Sequence, residues 1–248
     1  MTSSITVLTG ASRGLGHAMA EQLLRPGRHL LAISRRSDPA LADLARERGA
    51  TFTAWSLDLA DAPAAAERLA AWLAAQAPAD AALINNAALL SEPAPLRDGD
   101  AAELSAAVRV GLEAPLLLTA AFLRATTAWG TDRRVLNISS GLGRRAMAGS
   151  ASYCAIKAGM DHFSRAVALE EAERPGGARI VSLAPGIIDT DMQVQLRGAD
   201  RTRFPAGAQF EAFKTGGQLD SPTDAARKVL AFLARPDFGA EPVADVRG

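Results

Sequence analysis

Tyr153 and Lys157 stand four residues apart in Tyr153-Cys154-Ala155-Ile156-Lys157, near the start of a stretch with helical pattern. That spacing puts both side chains on one face of a helix. A free phenol titrates at about 10. A neighbouring ammonium favours the phenolate, so the sequence predicts a Tyr153 pKa below the ordinary value. Such a phenol can give a proton to a carbonyl oxygen that is receiving hydride, or take one from an alcohol. Ser140 lies thirteen residues earlier, at the end of an apolar strand in Asn137-Ile138-Ser139-Ser140. Its hydroxyl is placed to hold the same substrate oxygen, with Ser139 the next candidate and the more structural of the two. A Tyr and a Lys at this spacing also occur on ordinary helices, as a half-buried ring and a solvated cation.

A second constellation lies near the N-terminus, in Thr9-Gly10-Ala11-Ser12-Arg13-Gly14-Leu15-Gly16. Glycines at 10, 14 and 16 between a strand and a helix allow a tight turn and close approach to a pyrophosphate, which helix-start amides then bind. Gly10, Ser12, Arg13, Gly14, Leu15 and Gly16 are the candidate dinucleotide residues of this turn. The second strand ends in Ile33-Ser34-Arg35-Arg36, without the acid that would hold a ribose 2′-hydroxyl. Arg35 with Arg13 would instead clamp a 2′-phosphate, Arg36 being a less certain partner, and the charge pattern predicts NADP(H) over NAD.

These residues need a frame to bring them together. Apolar runs of strand length occur at 5–9, 29–34, 51–57, 81–85, 134–138 and 179–183, with a short closing run at 243–246. Amphipathic, helix-length stretches alternate with them at 15–24, 41–48, 64–75, 101–127, 152–173 and 223–233. This rhythm predicts one α/β domain: a doubly wound (Rossmann) parallel sheet of about seven strands, covered by helices on both faces. The rhythm breaks at 186–221, where glycines and prolines accumulate over a weak helical pattern. Long irregular segments of compact domains tend to be functional, and 187–220 is expected to form a substrate lid.

Composition narrows the setting. The 248 residues carry 27 basic and 27 acidic side chains, which advertises neither a nucleic-acid nor a membrane partner. No apolar run is expected to be long enough to span a bilayer. One cysteine, Cys154, excludes an internal disulfide; with no signal-peptide pattern, a cytoplasmic location is expected. His17, His29 and His162 share no metal spacing, so no metal is expected. No Gly-x-Ser-x-Gly elbow suggests an esterase. Cys154 reads as packing.

Taken in order, the motifs resemble those of the short-chain dehydrogenase/reductase family over nearly the whole chain. The glycine spacing is similar to that family's Thr-Gly-x-x-x-Gly-x-Gly, and the Ser140-to-Tyr153 interval to its catalytic pair. Asn85-Asn86-Ala87 resembles its fourth-strand motif, and Pro185-Gly186-Ile187-Ile188-Asp189-Thr190 its motif beside the nicotinamide. The resemblance implies cofactor contacts from Asp58 and Leu59, from Asn86 and Ala87, from Tyr153 and Lys157, and from Pro185, Gly186, Ile188 and Thr190. It also implies a small-molecule carbonyl substrate and a homodimer or homotetramer joined through the two long helices.

Two positions depart from the family pattern. Ala88 replaces the usual glycine. Gly111, in Val110-Gly111-Leu112-Glu113-Ala114-Pro115, stands where the family has an Asn that fixes a water on the lysine. Glycine supplies no side chain for that relay and weakens a helix interior by roughly 1 kcal/mol. Features around Tyr153, Ala168-Leu169-Glu170-Glu171 and Asp189-Thr190-Asp191-Met192-Gln193 are similar to the sepiapterin reductase and benzil reductase subgroup. That likeness implies substrates with adjacent carbonyls, and makes Asp245 a candidate substrate anchor. Two alternatives stand beside this reading: a nucleotide-binding scaffold or sensor with weak turnover, for which Gly111 argues, and a reductase of 3-ketoacyl thioesters or sterols.

Overall fold

Seven short, apolar strands form one parallel sheet in the computed structural model, which describes residues 4–247. In chain order the elements are β1 (Ser4–Thr9), α1 (Gly14–Leu23), β2 (Arg28–Ser34), α2 (Pro39–Glu47), β3 (Thr51–Ser56), α3 (Ala62–Ala74) and β4 (Asp80–Asn85). There follow α4 (Ala101–Val108), a π-turn (Arg109–Glu113), α5 (Ala114–Thr126), β5 (Arg133–Ile138), α6 (Ala151–Ala172) and β6 (Arg179–Ala184). The chain closes with α7 (Asp191–Gly198), α8 (Gly207–Thr215), α9 (Pro222–Leu233) and β7 (Val243–Asp245).

The strands run in the order β3-β2-β1-β4-β5-β6-β7. The apolar character of the strands inside the sheet follows from burial on both faces. On one face Leu8, Leu30 and Leu183 pack against Met19 and Leu23 of α1 and Val229 of α9. On the other, Val7, Leu83 and Val135 meet Leu69 of α3 and Leu118 and Phe122 of α5. The order reverses between β1 and β4, and there the strand ends splay into a crevice.

Two expectations change. Residues 187–220 are not irregular: they hold α7 and α8, whose Leu196, Phe204 and Phe210 form a small core of their own. Short helices separated by Gly198, Pro205 and Gly207 leave too little uninterrupted periodicity to read. Second, helix Ala101–Trp129 is long and apolar enough to cross a membrane, with a mean hydropathy of 1.6 over its best window, although half of that window is buried within the fold. Packing of α5 against α3 accounts for its apolar content.

Candidate active site

The glycine turn is shaped by contacts that tolerate no side chain. Gly10 has φ +74° and Gly14 φ +54°, in the left-handed region that favours glycine. At Gly16 a Cβ would stand 2.0 Å from the Gly10 carbonyl oxygen. The first turn of α1 is therefore pressed onto the loop. Thr9 and Asn86 fasten the turn to β4: Thr9 Oγ1 accepts from the amides of Asn86 (2.9 Å) and Ala87 (3.0 Å), and Asn86 Nδ2 donates to the Thr9 carbonyl at 3.0 Å. No side chain caps α1, which leaves its opening amides to face the crevice.

Every residue predicted from the sequence for the cofactor, from Gly10 to Thr190, lines one crevice of about 880 Å³, together with Ser140, Tyr153 and Lys157. Ser140 lies two residues beyond β5 in extended conformation, and its Oγ accepts from the Leu142 amide at 3.2 Å. Tyr153 and Lys157 share a face of α6, with Lys157 Nζ 5.7 Å from the centre of the phenol ring. Lys157 is 3% exposed and donates to the Ile138 carbonyl at 2.6 Å.

The electrostatics correct one expectation. Burial pushes the Tyr153 phenol above its ordinary value, and a hydrogen bond to Ser140 opposes this only in part. The spacing alone predicted a lowered value. The ammonium is near, but it is bonded to the backbone and itself desolvated, and loss of solvent outweighs it. Burial brings Lys157 down to about 8, with Asp161 one turn along opposing the fall.

Gly111 sits in the π-turn, buried against α6, where a Cβ would come within 2.8 Å of Ile156 Cγ2. The glycine is thus a packing feature, and Lys157 bonds directly to the strand end. Asp245 is also corrected. It does not line the main crevice; its carboxylate is gripped by Arg247 at 2.7 and 2.8 Å. Arg247 is the residue that reaches the crevice instead.

Other wall residues were not singled out in the sequence. Asp38 joins Arg35 and Arg36 at the β2 end. Its carboxylate caps α2 through the Ala40 amide (2.9 Å) and meets His17 Nε2 at 2.9 Å. Arg35 and Arg36 have no ion-pair partner among the described residues, whereas Arg13 pairs with Asp191 at the start of α7, at 2.9 Å. The far end is apolar, with Leu142, Met147, Met192, Leu196, Phe210 and Phe213. A proline-ended strand followed by a Met- and Phe-bearing segment was the one available signal for that chamber. Among the described residues no cluster of His, Cys, Asp or Glu is placed to hold a metal ion.

Residues 4–201 match the family model for short chain dehydrogenase. The chain belongs to the short-chain dehydrogenase/reductase family. It is 34% identical over 235 residues to benzil reductase ((S)-benzoin forming) of Bacillus cereus, covering 94% of each chain. It is also 34% identical to sepiapterin reductase of Mus musculus, covering 95% of this chain and 93% of that one. Among solved structures, a metagenomic short-chain oxidoreductase in complex with NADP aligns with a TM-score of 0.75 at 26% identity, over 98% and 95% of the two chains. This is an oxidoreductase fold whose family binds nicotinamide dinucleotides and acts on small molecules.

Proposed function

We propose that the protein is an NADPH-dependent carbonyl reductase for small ketones or vicinal dicarbonyls. The observation that carries this reading is convergence: Ser140, Tyr153 and Lys157 open into the same crevice as the glycine turn and the arginines at the β2 end. The residues fit a dinucleotide: the glycine turn lines the crevice, Gly10 and Gly16 are packed too closely for a side chain, and no side chain caps the first amides of α1. Bound there, the dinucleotide supplies hydride. Arg35, Arg36 and Arg13 favour a 2′-phosphate, and Asp38, the acid that follows them in the chain, meets His17.

Ser140 Oγ and Tyr153 Oη hold the substrate oxygen, and Tyr153 gives it a proton. At neutral pH the phenol carries the proton it is to give, and burial, by raising its pKa, makes it a weaker acid than a free phenol. Lys157, held on Ile138, fixes an ammonium beside the phenol. The apolar chamber under α7 and α8, acting as a lid, suits aryl or alkyl groups on the carbonyl. A vicinal diketone is the substrate of the benzil reductases that the chain resembles. The scaffold reading rested on Gly111, which has a packing role here. Val108, Leu116 and Leu169 are exposed on α4, α5 and α6, which supports pairing of copies through the long helices.

The test is NADPH oxidation with benzil, comparing the protein with Tyr153→Phe. The variant is expected to lose at least about 100-fold in kcat with its NADPH affinity retained. Equal rates would remove Tyr153 from the chemistry.

A further inference from the structure

Asp161 is the most completely buried acid around the site, at 1% exposure, and the chemistry above makes no use of it. It lies one helical turn beyond Lys157, on the same face of α6. Three groups from three different segments converge on its carboxylate. Ser139 Oγ, beside Ser140, donates at 2.5 Å. Ser182 Oγ of β6 donates at 2.7 Å. Arg144 Nε donates at 3.2 Å, and the same guanidinium reaches the Ala244 carbonyl of β7 at 2.8 Å. Gly143 allows this seating: a Cβ there would stand 2.9 Å from both Asp161 Oδ2 and the Lys157 carbonyl oxygen. The turn that follows Ser140 is therefore clamped onto α6 by one carboxylate.

Resting on the functional reading above, we propose that Asp161 is a positioning residue of this site: it locks Ser140's turn against α6 and keeps a fixed negative charge one turn from the Lys157 ammonium. A carboxylate buried this deeply is costly unless it is paired and fully hydrogen-bonded, and here it is both. Among the described residues, the charged or titratable groups that meet this pair are few. Tyr153 faces Lys157 on α6 itself. Arg144 comes from the turn after β5 and couples in turn to Asp245 on β7. Strands β5 and β6 contribute only Ser139, the Ile138 carbonyl and Ser182. The π-turn meets α6 through Gly111 and Leu112, without charge.

The clamp makes two substitutions act in opposite directions. Asp161→Asn keeps an oxygen for Ser139 and Ser182 but removes the charge, so Lys157 loses its proton more easily. Arg144→Gln removes the cation that offsets Asp161, so Lys157 holds its proton more firmly. The chain has three lysines, at 157, 214 and 228, so NMR of the intact protein carrying isotope-labelled lysine resolves Lys157 directly. Arginine at 214 and 228 completes the assignment. Lys157 is expected to titrate at about 8 in the unaltered protein. The midpoint should fall by roughly one pH unit in Asp161→Asn and rise in Arg144→Gln. The alkaline limb of NADPH-dependent turnover should move the same way in each variant. Where the midpoint moves by about one pH unit, the rate at a pH above the limb should change about tenfold.

A residue with only a packing role would lower thermal stability in both variants without separating the two midpoints. Midpoints that do not move, or that move together, overturn the proposal. If Asp161→Asn does not fold, Arg144→Gln alone decides: an upward shift supports the proposal and no shift sinks it. Lysine shifts as expected without turnover on any carbonyl would count against the reductase reading and leave the clamp standing.

Discussion

The floor and the rim of the crevice are built differently. At the floor, Gly10 and Gly16 meet backbone to backbone, Thr9 and Asn86 fasten the turn through their side chains, and Asn85, Asn137, Ser139, Asp161 and Ser182 are nearly or fully buried and bonded to one another or to neighbours. At the rim, Arg13 pairs with Asp191 across two highly exposed side chains, and Arg35 and Arg36 stand in solvent. Proton and hydride transfer depend on placement within a fraction of an ångström, which only buried, mutually constrained groups can hold. Recognition of a phosphate's charge works over a longer range and tolerates mobile cations. On the function proposed above, chemistry and cofactor choice fall to material of different stiffness.

The difference can be broken at the floor. Gly16→Ala should have the largest effect, because its Cβ would meet the Gly10 carbonyl at 2.0 Å and neither backbone can yield cheaply. A loss of at least ~3 kcal/mol in urea unfolding, at the upper end of overpacking costs, is expected. NADPH binding measured by fluorescence should fall more than about 100-fold. Wild-type affinity in this variant would mean that the turn is as pliable as the rim.

Gly111→Asn, which restores the family residue, should have a middle-sized effect. Its Cβ meets Ile156 Cγ2 at 2.8 Å, and a side-chain methyl can move where a carbonyl cannot. About 1–2 kcal/mol of destabilisation is expected, and most of it should vanish in an Ile156→Ala background. An undiminished penalty in the double variant would place the strain in the π-turn itself.

The rim should respond least. Arg35→Ala is expected to raise the Kd for NADPH about tenfold at low salt and to leave NADH binding unchanged. The difference should shrink as salt screens the exposed pair. A much larger, salt-insensitive loss would show that the rim is as preorganised as the floor.

Much of this was legible along the chain. Alternating strand and helix periods announced the parallel sheet, and the glycine spacing marked its first crossover. The Tyr153–Lys157 interval placed both groups on one face, since helix geometry alone settles that. Helices α7 and α8 were hidden because each spans only about two turns between glycines and a proline. Asp245 lies outside the main crevice, where Arg247, two residues on, engages its carboxylate. Nothing local indicates which of two neighbouring side chains a strand end will turn into a crevice.

By itself, then, the chain of residues determined the element order, the dinucleotide turn and the pair on α6, because each depends on backbone periodicity and short-range spacing. Only the folded molecule decided that Tyr153 is pushed up rather than down, that Arg13 meets an acid 178 residues away, and that one carboxylate gathers Ser139, Arg144 and Ser182. Solvent exclusion and contacts between distant segments have no counterpart in linear spacing; they exist once the sheet has brought its strand ends together.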